Sequence, residues 1–266
     1  MNEMPIPAVI LAGGNCGDEM AQASGETRKS LVPLNGLPML DWVIDAIEKS
    51  GAISRMIVVG TKDRWQYKRE NAPAPISVIQ NDEGFVGNLF AGFGQVTETS
   101  RVLVSTADIP FINPEVVCDF VREALDLEAD MVYPIVPMEL CAQRFPGMKR
   151  TALRLKEGNF TGGNMVLLRP HFLQQNRDRI AQAYSARKSP LRLGMMIGFQ
   201  TVVRFLLSQL LSPNLLSVAK LEGEISRLIG GRACALICKR PEIATDVDRP
   251  ADLLVAQSLL AGPKEP

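Results

Sequence analysis

A single histidine, His171, in 266 residues leaves a His pair, a Ser-His-Asp triad or a histidine-bound zinc without its parts. It follows Pro170 at an expected helix start and reads as a helix-start or surface residue. Cysteine is almost as thin. Cys16, Cys118, Cys141, Cys234 and Cys238 are odd in number and scattered without metal-ligand spacing, which describes reduced thiols, mostly in the core. An excess of either charge is missing too: 29 Lys and Arg stand against 29 Asp and Glu. With no overall cationic field to draw a phosphate backbone, nucleic acid is not an expected partner. No basic segment followed by an apolar stretch opens the chain at residues 1–7, so the expected location is the cytoplasm. The longest apolar stretch, residues 193–216, is interrupted by Arg204 and bounded by Arg192 and Ser212-Pro213, short of what stable membrane insertion needs.

What is present is an ordinary globular composition, 46% hydrophobic and 22% charged, which excludes disorder. A short aliphatic run at residues 8–12 ends in Gly13-Gly14, a buried strand stopping at a permissive turn. Leu37-Pro38 opens a helix whose Leu40, Val43, Ile44 and Ile47 recur at three- and four-residue spacing until Gly51. Strands are expected at 56–59, 76–79, 101–105, 131–136, 151–155, 164–168 and 233–238, and helices at 87–96, 115–125, 193–211, 215–229 and from Pro250. Strands alternating with helices imply crossover connections, hence a mostly parallel sheet with helices on both faces and ligands at the carboxyl ends of its strands. The pair 151–155 and 164–168, joined by the glycine-containing connection 156–163, adds an antiparallel excursion. The expected organisation is one domain, residues 1–266, with a helical apolar insertion at about residues 180–230 that is shielded within the protomer or by a second copy in a homodimer.

The glycine turn is where backbone N–H groups can approach phosphate, but two familiar motifs fail on spacing. The stretch from Gly13 to Asp18 lacks the G-x-G-x-x-G of a dinucleotide fingerprint, and Arg28 stands before Lys29-Ser30 where a Walker A loop needs glycine. Asp108 follows a strand and precedes Ile109-Pro110, which places a carboxylate at a strand end; an Asx turn is the alternative reading. Asp246 and Asp248 flank Val247, so an extended backbone points both to one side, and either could complete a metal site.

Taken in order, Ala-Val-Ile-Leu-Ala-Gly-Gly at 8–14, the Lys-Ser-Leu-Val-Pro-Leu-Asn-Gly-Leu-Pro-Met-Leu run at 29–40, Ser-Thr-Ala-Asp-Ile-Pro at 105–110, Phe-Thr-Gly-Gly-Asn at 160–164 and Asp-Val-Asp-Arg-Pro-Ala-Asp-Leu at 246–253 resemble the MobA-like NTP transferases, the family typified by molybdenum-cofactor guanylyltransferase. The resemblance implies an α/β, Rossmann-like glycosyltransferase-A nucleotidyltransferase fold, a mostly parallel mixed sheet flanked by helices. It also implies transfer of a nucleoside monophosphate from an NTP, GTP or CTP first, to a phosphorylated or hydroxylated small-molecule acceptor with release of pyrophosphate. Carried over by motif, Leu11, Ala12, Gly13, Gly14 and Lys29 meet the nucleotide, Lys29 and Asp108 are catalytic, and Asp108 with Asp248 holds Mg²⁺. Asn88, at the start of the weak 87–96 helix, matches a place where the family presents a small polar residue to the nucleotide, and Thr161, Gly162, Gly163 and Asn164 face the acceptor. Many members carry an arginine soon after the double glycine; here Asp18 and Glu19 occupy that stretch, so either the loop turns outward or Arg28 provides the missing cation at the nucleotide. A nucleotide-binding protein without turnover and a nucleotide-sugar-dependent glycosyltransferase are the alternatives.

Overall fold

Six consecutive buried residues, Ile6–Leu11, form β1, and a strand covered on both faces belongs at the centre of a sheet. The computed structural model describes residues 5–60, 65, 74–96, 100–186, 196 and 199–261. After β1 come α1 (Asp18–Ser24), β2 (Pro33–Leu34), β3 (Leu37–Pro38), α2 (Met39–Lys49), β4 (Ile53–Val59), β5 (Ile76–Ile79), α3 (Gly84–Phe93) and β6 (Val102–Thr106). They are followed by α4 (Pro114–Leu125), β7 (Met131–Pro137), α5 (Met138–Arg144), β8 (Leu153–Leu155), β9 (Gly158–Gly162) and β10 (Met165–Leu168). The remainder is α6 (Pro170–Gln175), α7 (Arg177–Ala186), α8 (Phe199–Leu210), α9 (Val218–Ile229), β11 (Ala233–Ile237) and α10 (Pro250–Leu260).

The nine-stranded sheet has the order β5-β4-β1-β6-β10-β7-β9-β8, with β11 added beside β7. From β5 to β6 every pairing is parallel, so these strands end on one edge, as crossover connections require. The side-chain period of two divides β1: Ala8 and Ile10 join the core under α2 and α4, while Val9 and Leu11 join Leu89 and Phe93 of α3 on the other face. The expected stripe Leu40, Val43, Ile44 and Ile47 is the buried face of α2. Asn113 caps α4 by accepting from the Val116 amide at 2.9 Å, with Pro114 at the first helical position.

Two expectations are corrected and a third is narrowed. The antiparallel excursion exists, but residues 156–163 are not a plain connection: β8 and β9 form a hairpin, β9 pairs antiparallel with β7, and β10 lies antiparallel between β6 and β7. The 87–96 helix begins earlier, at Gly84, whose φ of 74° supplies the left-handed turn that starts it. The described part of the apolar segment is largely exposed in the protomer, which leaves cover by a second copy as the remaining form of that expectation. Leu210 and Leu211 are 76% and 73% exposed, and Phe205, Leu206, Leu207 and Leu215 are exposed beside them, whereas Leu216 is buried against Ile135, Leu155 and Phe160. Leu193, Met195 and Ile197 of that stretch lie outside the described residues. Among the described residues no helix is long and apolar enough to cross a membrane.

Candidate active site

At the carboxyl end of β1 the chain turns through Ala12-Gly13-Gly14. Leu11 and Ala12 are buried, so the turn presents backbone rather than side chains. It is fastened from behind: the buried Ser30 hydroxyl donates to the Ala12 carbonyl at 2.7 Å and the Lys29 amide to the Gly14 carbonyl at 2.9 Å. Gly60, at the end of β4, crosses beneath it with φ of 106°, and a Cβ there would stand 2.4 Å from Gly13 Cα. Both the dihedral and the contact reject a side chain, and the obstacle is backbone that cannot swing away. Gly60→Ala is therefore expected to destabilise the protein by more than about 2 kcal/mol, read as a loss of several degrees in Tm. An unchanged Tm would mean the two turns are not packed in this way.

Asn88 is not at a helix start. Because α3 begins at Gly84, Asn88 lies in its second turn, 3% exposed and so close to Gly13 that a Cβ on that glycine would meet Asn88 Nδ2 at 2.3 Å. Its buried Oδ1 has no hydrogen-bond partner among the described residues. Arg28 reaches over the same turn, donating to the Gly13 carbonyl at 2.9 Å and to Asn15 Oδ1 at 3.3 Å while pairing with Asp82. Asp18 and Glu19 form the first turn of α1 and are exposed.

A carboxylate cluster lies next to this turn. Asp108 follows β6 and receives the Thr106 hydroxyl on Oδ1 at 2.5 Å. Asp246 and Asp248 straddle the fully buried Val247, whose amide donates to the Asp108 carbonyl at 2.9 Å, so alternation sends both carboxylates to the Asp108 side. Ligand oxygens from all three lie within 4.8 Å of one another. The Lys29 ammonium sits among them, 2.5 Å from Asp108 Oδ2, 4.0 Å from Asp246 Oδ2, and ion-paired with Asp248. Arg150, 7% exposed, supports Asp246 at 3.2 Å and donates to its backbone carbonyl at 2.8 Å.

The electrostatics follow from this crowding. Burial opposes the charge on Lys29, but Asp108 and then Asp248 outweigh it and hold the ammonium well above the ordinary lysine range. Burial, the hydrogen bond with Asp248 and the charge of Asp108 push the Asp246 carboxyl up to about 7. Burial also opposes ionisation of Asp248, yet the Asp246 hydrogen bond and the Lys29 charge keep it below the usual carboxylate range.

On the other side of the cluster, Thr161 and Gly162 end β9, while Gly163 and Asn164 form the link to β10 rather than opening one strand as expected. The Gly163 amide donates to the Pro134 carbonyl and the Asn164 amide to the Ile243 carbonyl, each at 2.9 Å. Thr161, Gly162 and Asn164 line a cavity of about 370 Å³ with Lys149, Arg150, Asp246 and Asp248. Lys149 and Arg150 belong to no motif in the sequence, and Thr106 stands within Ser-Thr-Ala-Asp-Ile-Pro without a role of its own there. The structure thus gathers Gly13, Gly14, Arg28, Lys29, Asn88, Asp108, Asp246, Asp248 and residues 161–164 along one edge of the sheet.

Known proteins resemble this chain in sequence and in fold. Residues 8–206 match the model of the MobA-like NTP transferase domain. The chain is similar to a Yersinia pestis molybdenum cofactor guanylyltransferase, 28% identical over 112 residues, or 42% of this chain and 53% of that one. It is 30% identical over 137 residues to the bifunctional protein GlmU of Symbiobacterium thermophilum, covering 51% of this chain and 28% of the other. It therefore spans about half, or less, of the length of these curated relatives. A solved structure described as a hypothetical transferase from Thermus thermophilus superposes with a TM-score of 0.81 at 36% identity, covering 94% of this chain and 100% of that one. The fold of this chain is the one expected, a mostly parallel mixed sheet flanked by helices.

Proposed function

Because the chain belongs to the MobA-like NTP transferase family, we propose that it transfers a nucleoside monophosphate from an NTP to a phosphorylated or hydroxylated small-molecule acceptor and releases pyrophosphate. The observation that carries this reading is the convergence of three carboxylates, Lys29 and a backbone-presenting glycine turn on one sheet edge, with a polar cavity beside them. The donor set suits Mg²⁺, a hard cation that prefers one or two carboxylates together with phosphate oxygens. Asp108 and Asp248 would hold it, with Asp246 alongside. When bound, Mg²⁺ supplies charge neutralisation for phosphate oxygens.

In this reading the acceptor oxygen attacks the α-phosphorus in line with the departing pyrophosphate, and the protein contributes position and charge. The N–H groups of Gly13 and Gly14 and the side chains of Lys29 and Arg28 face the phosphates. Leu11, Ala12 and Asn88 border the nucleoside, and Thr161, Gly162, Gly163 and Asn164 face the acceptor. No group with histidine-like acidity is needed, because charge stabilisation and alignment carry most of such a reaction. The reading takes residues 1–266 as one nucleotidyltransferase domain acting in the cytoplasm.

The test is a pyrophosphate-release screen of the four NTPs with Mg²⁺ against pooled molybdopterin, sugar-phosphate and polyol-phosphate acceptors, GTP and CTP first. Release of pyrophosphate that depends on both an NTP and an acceptor is expected. Nucleotide binding without release would favour a non-catalytic nucleotide-binding protein, and nucleoside diphosphate released from a nucleotide sugar would favour a glycosyltransferase.

A further inference from the structure

The polar cavity beside Asp246 and Asp248 does not end at Gly162. It shares Tyr133, Leu153, Thr161 and Gly162 with a second cavity, of about 250 Å³, that runs beneath α9. The floor of this second space is one face of the sheet. Ala233 and Ala235 of β11 lie in register with Met131 and Tyr133 of β7, so the period of two puts all four on the same side. Its roof is Leu221 and Ile225, four residues apart and therefore on one side of α9. Glu222, the one carboxylate of the lining, is already committed, accepting from the Ala235 amide at 2.6 Å. The volume exists because two alanines stand where larger side chains would close the gap. An unfilled apolar space of this kind costs stability and is poorly hydrated.

At the polar end, Lys149 and Arg150 are the cations of the lining. Arg150 is 7% exposed, and its buried Nε has no hydrogen-bond partner among the described residues. Tyr133 stands at the junction: a Cβ on Gly162 would meet its hydroxyl at 2.3 Å, so glycine at 162 is what lets the ring lie there.

We propose that the acceptor is a phosphorylated amphiphile, its phosphate beside Lys149 and Arg150 and a compact apolar group under α9. The inference rests on the nucleotidyltransferase reading, since it assigns the polar cavity to the acceptor. In the transfer, an oxygen of the acceptor phosphate forms the bond to the α-phosphorus while the bond from that phosphorus to pyrophosphate breaks, so no further reactant is required. The two cavities together are of the size that holds a small molecule.

The experiment is calorimetric titration of the full chain with inorganic phosphate and with ethyl, butyl, hexyl and octyl phosphate, run beside the pyrophosphate-release screen. Binding is expected to tighten by about threefold to fourfold per methylene and to level off once the cavity is full. Ala235→Leu, which fills the space, and Leu221→Asn, which makes its roof polar, are expected to flatten the series while leaving inorganic phosphate unaffected. Lys149→Ala is expected to weaken every member alike. Equal affinity for inorganic and octyl phosphate overturns the proposal. So does a chain-length effect lost in Leu210→Asp but kept in Ala235→Leu, which would put the alkyl chain on the exposed face of α8. A flat series together with full-rate transfer to wholly polar phosphates overturns the amphiphile and leaves the nucleotidyltransferase standing. A steep series without pyrophosphate release from any NTP overturns the nucleotidyltransferase reading and the acceptor role with it, leaving only a binding site for alkyl phosphates.

Discussion

Asp108→Asn and Asp248→Asn are each expected to lower pyrophosphate release by at least about a hundredfold, with the double variant losing far less than the product of the two. The two residues arrive from distant parts of the chain, Asp108 after β6 and Asp248 before α10, yet their oxygens converge with that of Asp246 within 4.8 Å. Like charges at this separation repel unless a cation stands between them. Each carboxylate is then useful only with the other in place, so removing one forfeits most of what both supply. Asp246→Asn is expected to be milder, about tenfold or less, because Asp246 stands 4.0 Å from the Lys29 ammonium and is held chiefly by Arg150 at 3.2 Å. Steady-state rates at saturating NTP and Mg²⁺, with NTP affinity measured separately, decide the matter. If Asp246 is essential and Asp248 dispensable, the roles within the Asp-Val-Asp run are exchanged. Strict additivity of Asp108→Asn and Asp248→Asn would mean that the two act separately.

Much of this site was legible because its parts are local in sequence. A strand that stops at Gly13-Gly14, a lysine before a hydrophobic turn, and an Asp at a strand end each carry their chemistry within a few residues, and their order along the chain identified the sheet edge on which they meet. Asp246 and Asp248 remained undecided for a physical reason: a period of two points both the same way, and both do approach Asp108. Arg150 was invisible because it lies in an irregular segment outside any strand or helix, and its role depends on a partner 96 residues away. The Asn88 helix was misplaced because Gly84 was not read as a starting residue, although its left-handed φ is what lets α3 begin there. Strand β9, Gly-Asn-Phe-Thr-Gly, reads as a loop by composition and becomes a strand only through pairing with β7 and β8. The apolar residues of α8 announced a helix correctly, but a hydrophobic pattern does not say what covers it, and Leu210 and Leu211 are exposed.

Lys29→Ala is the variant for which the structure changes the expectation most. Read from the sequence as a solvent-facing lysine, it would contribute little to stability, and its loss would show only in NTP binding or turnover. Its side chain is instead 16% exposed, with the ammonium bridging Asp108 and Asp248. Removing the cation leaves three crowded carboxylates without their central partner, an arrangement that costs more than the bridge itself contributed. Because Asp248 is 57% exposed and water screens part of that repulsion, the loss is expected to be about 1–3 kcal/mol, below that of a sealed ion pair. In a chain of this size, that lowers Tm by a few degrees to about 10 °C. The same variant should respond to Mg²⁺ more strongly than the parent does, because a cation that binds only the folded state restores the missing charge and raises stability by mass action. Turnover should not return with the melting temperature, since Lys29 is also expected to face the phosphates once nucleotide is bound. Thermal unfolding of both proteins across a Mg²⁺ titration, followed by NTP binding at the highest concentration, separates the two roles. Equal Tm values and equal Mg²⁺ responses would remove Lys29 from the carboxylate cluster, and full NTP affinity in the variant would remove it from the phosphates.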